Sequence, residues 1–396
     1  MMKKLLSVVI IFIFAFSMLS FSASAAIENE ALLTVSPASP IDVAAKAYIL
    51  MDINTGTVLM ANNENEKLYP ASVTKIMSLL LVFEAISQGK LTYDMVLTCS
   101  DTAAQKGGSQ IWLEPGEQMS VHELLKAVVV YSANDACCLL GEAVAGSEEA
   151  FCAMMNSRAR ELGMNATNFL NCTGLDDDIT EHKTTAYDIA LMSRALLLQG
   201  EVRKYTGIWM DTLRNGQTQL VNTNKLMRTY PGATGLKTGT TSKAGCCVSA
   251  SAERDGLELV AVVLGADNSK DRFSAATRLL DHGFSAYQIF TPQPENKYPS
   301  SVPVKCGVEN SITVENSVPS EILIDKGKES MIEYEVQCSE ELIAPIEKGQ
   351  VIGKVICKYN SEVIGSIELT SGQKVEKKTL VNALYALFVQ FKSNIS

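Results

Sequence analysis

Histidine is scarce in this chain, with three residues in 396, and neither a G-x-S-x-G turn nor a C-x-x-C pair occurs. Without the serine-bearing turn, the one conceivable Ser/His/Asp arrangement, through His182 and Asp188, loses its usual setting, and His182 reads instead as a residue holding the loop before a helix. The cysteines number ten, but Cys137-Cys138 and Cys246-Cys247 are adjacent pairs and no Cys/His cluster has zinc-like spacing. They read as small buried apolar residues, and neither a metal nor a cofactor is implied. Positive charge is also short: 34 Lys and Arg stand against 44 Asp and Glu, a net charge of −10. That balance argues against nucleic acid as a partner.

The chain begins with Lys3 and Lys4, the apolar run Leu5 to Leu19, and small residues ending in Ala23-Ser24-Ala25. This is the pattern of a cleaved export signal over residues 1–25, and the run is short for a spanning helix. Removing it takes away two lysines and no acid, so the charge falls to −12. The mature chain, from Ala26, is expected outside the cytoplasm.

Ala44 to Asp52 and Thr57 to Ala61 flank an Asn54-Thr55-Gly56 turn and read as a hairpin. Pro70-Ala71-Ser72 opens the long apolar run Val73 to Ile86, a buried helix with Ser72 at its N-terminal end. Val121 to Ala145 is helical in pattern with a break around Tyr131 to Asp135, and Thr185 to Leu198 is a further amphipathic helix. Strands return at Gly235 to Thr241, Cys247 to Glu253 and Leu257 to Leu264, the last two around Asp255-Gly256, before a helix at Ser269 to Phe284. The class is α+β, with one antiparallel sheet drawn from both ends of the domain and covered by helices. Residues 26–290 form this domain, a proline-rich stretch over 291–301 reads as a linker, and 302–370 as a small all-β domain. Leu380, Val381, Leu384, Leu387, Phe388 and Phe391 recur at helical spacing, so 374–392 is expected to be an amphipathic helix. Such a helix suits either a membrane surface or its own domain.

Three short motifs stand in order: Ser72-Val73-Thr74-Lys75, Ser132-Ala133-Asn134 and Lys237-Thr238-Gly239. A serine hydroxyl needs a base to become a nucleophile, and a lysine three residues on along a helix projects from the same face. Lys75 serves only when neutral, and burial together with a second cation, for which Lys237 is the candidate, pushes its pKa down. Ser132 is placed to relay a proton to a departing nitrogen, and Asn134 offers a donor and an acceptor to a substrate amide. Lys237 and Thr238 suit a terminal carboxylate, Gly239 allows close approach, and the N–H groups of Ser72 and Thr240 suit an oxyanion. S-x-x-K alone is expected by chance about once in a chain of this length. Ser371-Gly372-Gln373-Lys374 is such a second copy, in a polar tail without the helix. Lys-Thr-Gly is rarer, about one chance in ten per chain.

On Tyr69-Pro70-Ala71-Ser72-Val73-Thr74-Lys75, Ser132-Ala133-Asn134-Asp135-Ala136 and Gly235-Leu236-Lys237-Thr238-Gly239, the chain from about Ala44 onward resembles the low-molecular-mass penicillin-binding proteins of the D-alanyl-D-alanine carboxypeptidase family. The resemblance implies a penicillin-binding-protein/β-lactamase-like domain, a β-rich second domain, and a terminal helix that tethers the enzyme to the outer face of the cytoplasmic membrane. The substrate it implies is the peptidoglycan stem peptide, trimmed of its last D-alanine through an acyl-enzyme on Ser72, with β-lactam antibiotics as acylating inhibitors. Ala133 and Thr240 occupy positions that vary in the family. Arg272 enters by the same analogy as added charge at the carboxylate site, but read from its own surroundings it is a surface salt bridge and stays outside the assigned set.

Three rival readings remain at this stage. An endopeptidase on D-alanyl crosslinks would use the same residues. A class A-like β-lactamase would need a Glu-x-x-x-Asn loop, where this chain has Gly174-Leu175-Asp176-Asp177-Asp178. A non-catalytic cell-wall binder would not need every nucleophile and base position filled.

Overall fold

The computed structural model describes residues 43–176, 179–294, 296–319, 321–381 and 384. The export signal lies outside them, as do Asp177, Asp178 and most of the terminal helix expected from the sequence.

The larger, N-terminal half starts with β1 (Ala47–Asp52) and β2 (Val58–Asn62), a hairpin turned over Asp52, whose carboxylate accepts from Thr55 N–H and Oγ1. A tight 3-10 turn, Ala71–Thr74, precedes α1 (Lys75–Ser87), so Ser72 lies just ahead of the α-helix proper. The short pair β3 (Val96–Thr98) and β4 (Gln118–Ser120) follows, then α2 (Val121–Lys126), a π-helical stretch over Ala127–Tyr131, α3 (Asn134–Ala145), α4 (Glu148–Glu161) and α5 (Ala186–Leu197). A small hairpin of β5 (Met210–Leu213) and β6 (Thr218–Val221) leads to β7 (Ala233–Thr241), β8 (Gly245–Arg254), β9 (Leu257–Ala266) and α6 (Ser269–Ala286).

The main sheet runs β2-β1-β9-β8-β7, antiparallel throughout, so its two ends in sequence are joined by the β1–β9 ladder and β7 is left as an edge. Alternation sorts side chains to two cores. Ile49, Met51, Val260, Val262 and Leu264 face the helices between the sheet halves. Leu50, Leu259, Ala261, Val263 and Val248 face α6 through Ala276, Leu279 and Leu280. Every residue of β9 is buried, as its near-continuous apolar sequence requires of a strand covered on both sides.

β10 (Tyr287–Phe290) continues directly from α6 and pairs with β13 (Ile322–Asp325) across the proline-rich stretch. The remaining strands, β11 (Ser301–Lys305), β12 (Ser311–Asn316), β14 (Glu333–Cys338), β15 (Leu342–Ile343), β16 (Val351–Tyr359) and β17 (Glu362–Ser371), form one sheet in the order β14-β16-β17-β12-β11-β15. Its core is Val302, Ile312, Val355, Cys357, Ile367 and Leu369.

One expectation shifts here. Residues from Lys374 onward do not begin as helix: Val375 is buried and bridges Ile346, and Lys377 bridges Gly307, so this stretch is extended against the β-domain. Helical backbone appears at Leu380, Val381 and Leu384, all three exposed.

Leu279 is fully buried between α6 and the sheet. Leu279→Ala is expected to cost about 2–5 kcal/mol, the range for cavities in a packed core, read as a lower urea midpoint. A loss under about 1 kcal/mol would mean that α6 packs loosely on this face.

Candidate active site

The first and third motifs meet because glycine permits it. A Cβ on Gly239 would lie 2.8 Å from both Pro70 O and Ser72 N, so any side chain there would force β7 away from the turn that carries Ser72. Gly174 does the same from the other side: its φ is +84°, and a Cβ there would lie 1.8 Å from Ala71 O.

Lys75 is completely buried at the first residue of α1, and its Nζ lies 2.9 Å from Ser72 Oγ. It also donates to Thr173 O at 2.9 Å. Ser78, one turn on, donates to Cys172 O at 2.6 Å, so the segment Cys172–Thr173 is held along the same face of the helix. Burial lowers the Lys75 pKa to about 8, partly countered by the negative potential of Cys137, Cys172 and Asp135. Lys237, also fully buried, is pushed well below the usual lysine range, first by burial and then by the charges of Lys75 and Arg272. The two buried amines thus repel each other, and each is held below the usual lysine range.

The second motif sits at a break in the helix. The π-helical stretch ends at Ser132, whose φ of 68° and ψ of 28° are left-handed, a costly conformation for serine that turns the chain into α3. The Oγ of Ser132 and the Oδ1 of Asn134 are buried and have no hydrogen-bond partner among the described residues. Asn134 is held from behind, with its Nδ2 on Gly107 O at 2.6 Å and its backbone N–H on Ser109 O. Asp135 braces the same loop by accepting from Ile111 N–H and Leu113 N–H. The second and third motifs are joined through Thr223, whose N–H donates to Val130 O and whose Oγ1 accepts from Thr238 Oγ1 at 2.7 Å.

Lys237 donates to Thr238 O at 3.1 Å, and Thr240 Oγ1 to Gly239 O at 2.8 Å. Arg272 corrects the sequence reading. It is buried, not part of a surface salt bridge, and its Nη1 reaches Gly239 O, Thr240 Oγ1 and Cys247 O at 3.1–3.2 Å. Its guanidinium also lies 4.6 Å from the Phe273 ring centre. The pairing of β7 with β8 brings residues 239 and 247 side by side within its reach, a contact that no local pattern around Arg272 signals.

His182 does not join a triad. Leu170 N–H donates to its Nδ1, so the other nitrogen, Nε2, carries the proton and meets Thr74 Oγ1 at 2.9 Å. Burial lowers its pKa to about 4, which keeps the ring neutral. Asp188 meanwhile binds Thr167 and Ala166 N–H. The second S-x-x-K copy lies apart, with Ser371 closing β17 and Lys374 near Glu347 and Glu376.

All ten cysteines are free thiols, eight of them buried. Folding does bring Cys138, Cys172 and Glu148 within 4.8 Å of one another, which spacing could not show. Glu148 already accepts from the Cys172 thiol at 3.2 Å and pairs with Lys106.

Residues 33–268 match the family model described as D-alanyl-D-alanine carboxypeptidase, and 287–377 the model for the penicillin-binding protein 5 C-terminal domain. D-alanyl-D-alanine carboxypeptidase DacF of Bacillus subtilis (strain 168) is 38% identical, with 97% of each chain covered. DacC of Escherichia coli (strain K12) is 33% identical over 92% of this chain and 90% of its own. Among solved structures, penicillin binding protein 5 from Haemophilus influenzae matches with a TM-score of 0.71 at 31% identity, covering 86% of this chain and 100% of that one. Penicillin-Binding Protein D2 from Listeria monocytogenes, in its cefotaxime-bound form, matches with a TM-score of 0.58 at 31% identity, covering 62% of this chain and 100% of that one. Similarity of this extent, carried by a family model over more than half of the sequence, means that the chain belongs to the D-alanyl-D-alanine carboxypeptidase family of serine peptidases.

Proposed function

We propose that the chain removes the terminal D-alanine from peptidoglycan stem peptides by an acyl-enzyme route, with Ser72 as nucleophile and Lys75 as its base. One observation carries the reading: a fully buried lysine amine, its pKa lowered to about 8, lies 2.9 Å from a serine hydroxyl. Neutral Lys75 takes the Ser72 proton as Oγ attacks the carbonyl between the two D-alanines, and the C–N bond breaks as the leaving amine gains a proton through Ser132. The unpartnered Oγ of Ser132 and Oδ1 of Asn134 support these assignments, since a buried polar atom without a partner is otherwise a cost. Water then attacks the ester, and Ser72 recovers its proton.

Lys237 and Thr238 receive the substrate carboxylate, and Arg272, bonded to Thr240 Oγ1, adds positive charge to that end of β7. The N–H groups of Ser72 and Thr240 take the oxyanion, with Gly239 keeping the two elements close. β-Lactams acylate the same serine. The residue ranges support 1–25 as an export signal, 26–290 as the catalytic domain, 291–301 as a connecting stretch and 302–370 as a β-rich domain, with an extracytoplasmic enzyme as the outcome. Exposed Leu380, Val381 and Leu384, at the start of the amphipathic pattern, support a tail that lies on the outer face of the cytoplasmic membrane.

The decisive measurement is D-alanine release from a pentapeptide ending in D-Ala-D-Ala. Ser72→Ala is expected to lose at least about a thousand-fold in kcat, and to lose covalent labelling by fluorescent penicillin. Retained labelling would move the nucleophile elsewhere, and no release by the folded wild type would remove the carboxypeptidase reading.

The pH dependence follows from Lys75. The neutral form does the work and the pKa is about 8, so acylation is expected to rise about ten-fold per pH unit below that value and to level off above it. A rate that is flat from pH 6 to 9 would exclude Lys75 as the base.

A further inference from the structure

Three elements bring sulfur and oxygen donors together at a place the reaction does not use. Cys138 lies on α3, one turn after Asn134, Glu148 opens α4, and Cys172 immediately precedes Thr173, the acceptor of Lys75. The two sulfurs and a carboxylate oxygen lie within 4.8 Å of one another. Both cysteines are buried, whereas the side chains of Glu148 and Lys106 stay 17% and 22% exposed, which leaves that pair as the way in from solvent.

The carboxylate is aimed at the sulfurs. Lys106 donates to Oε2 of Glu148, and the other oxygen, Oε1, accepts from the Cys172 thiol at 3.2 Å and from the Cys172 N–H at 3.3 Å. An outer partner that holds one oxygen and turns the other on the donors is how the ligands of a metal are oriented. Glu142 sits similarly beside Cys138, its Oε2 accepting from Ser100 Oγ at 2.7 Å and its Oε1 from the thiol at 3.8 Å. Cys137, although adjacent, turns its thiol to Cys172 O and stays outside the set.

Two thiolates and one carboxylate suit a borderline-soft dication such as zinc, and not calcium or magnesium, which take oxygen ligands. In a tetrahedral zinc site with bonds to sulfur of about 2.3 Å, the sulfurs stand roughly 3.8 Å apart. Closing from 4.8 Å or less is a movement of about 1 Å at most, within reach of side-chain rotation. Charge is conserved as well. With both thiols protonated, Glu148 balances Lys106. A dication displaces the two thiol protons to solvent, and two thiolates, one carboxylate, one ammonium and one dication again sum to zero, so no uncompensated charge remains in the interior.

We propose that Cys138, Cys172 and Glu148 form a zinc-class metal site with water as the fourth ligand, and that the ion clamps α3, α4 and the Cys172–Thr173 segment together. Its role follows from what those residues hold. Cys172 O accepts from Ser78 Oγ at 2.6 Å, and Thr173 O accepts from Lys75 Nζ at 2.9 Å. The ion thus ties the segment that receives Lys75 to the helix that begins at Asn134, and it touches no substrate.

The test uses the mature chain, kept reduced, with zinc and cobalt(II) as probes. One zinc per chain is expected to bind in competition with a chromophoric chelator, and the thermal midpoint to rise with zinc concentration. Cobalt(II) is expected to give sulfur-to-metal charge transfer and the strong visible bands of a four-coordinate ion. Cys138→Ala and Cys172→Ala should each remove both signals, and Glu148→Gln should weaken zinc at least about ten-fold. Cys306→Ala, at an exposed thiol, should change neither. Near-UV circular dichroism reports the fold of each variant. No zinc binding by the wild type, or equal affinity and the same cobalt spectrum in both cysteine variants, overturns the site. Should both cysteine variants fail to fold, Glu148→Gln decides alone, since it keeps both sulfurs, and an unchanged zinc affinity there overturns the proposal.

Discussion

A primary amine taken completely out of water beside a serine hydroxyl is the constraint around which the catalytic domain is arranged. Lowering the Lys75 pKa from 10.5 to about 8 costs the folded state about 3 kcal/mol at neutral pH, because the unfolded chain binds that proton more tightly. Between about pH 8 and 10.5 the unfolded chain holds the proton and the folded one has released it, so stability rises with pH across that window. The cost is offset by what surrounds the amine: Thr173 O accepts from it, and Ile76, Met77, Leu79 and Leu80 of α1 are packed into the core. Helix α1 is therefore apolar nearly all round, since it must both bury its own surface and exclude water from Lys75. A second fully buried lysine at position 237 raises the electrostatic demand, and a terminal carboxylate arriving there would relieve it.

Bringing three separate segments to one amine leaves its mark on the backbone. Ser132 and Ala71 are left-handed although neither is glycine, and both lie beside the reacting serine or in the second motif. Gly174 and Gly239 stand where a single Cβ would collide with the turn at residues 70–72. At these positions the backbone departs from what the local sequence favours. The strain is tolerated because each neighbour is fixed by something longer-ranged: Asp135 on the loop through Ile111 and Leu113, Thr223 between Val130 and Thr238, and His182 on Thr74.

What the sequence made legible was whatever is encoded locally. Alternating apolar residues around Asn54-Thr55-Gly56 and Asp255-Gly256 disclosed two hairpins, and the uninterrupted run after Ser72 disclosed α1. The pair Ser72 and Lys75 was readable because helical spacing alone brings the two together. Contacts between distant segments were not readable in this way. Arg272 acts on β7 only through the register of the β7–β8 ladder, and Thr173 accepts from Lys75 across 98 residues of sequence. The start of the terminal helix was misplaced because Lys374, Lys377 and Lys378 read as a polar helix face, whereas the apolar stripe begins only at Leu380; Val375 lies off that stripe, and the backbone of Ile346 offers it a ladder partner and the β-domain core a place to bury.

The proline-rich stretch shows how composition and tertiary contact can point in different directions. Its residues have the character of a flexible connection, and a hinge would follow if nothing else crossed it. Yet β10 leaves α6 without a loop and pairs with β13, Lys326 N–H donates to Ala286 O, and Leu323 packs on the same core as α6. Four ladder positions and a shared apolar contact span the junction, so the chain bends at Thr291–Pro294 while strands on either side of it are hydrogen-bonded together. Free rotation about the connection would have to break those bonds first. If the tail holds the β-domain at a surface, the paired strands transmit that placement to the catalytic sheet, and the cleft at β7 is presented by the fold itself instead of being left to diffuse on a tether.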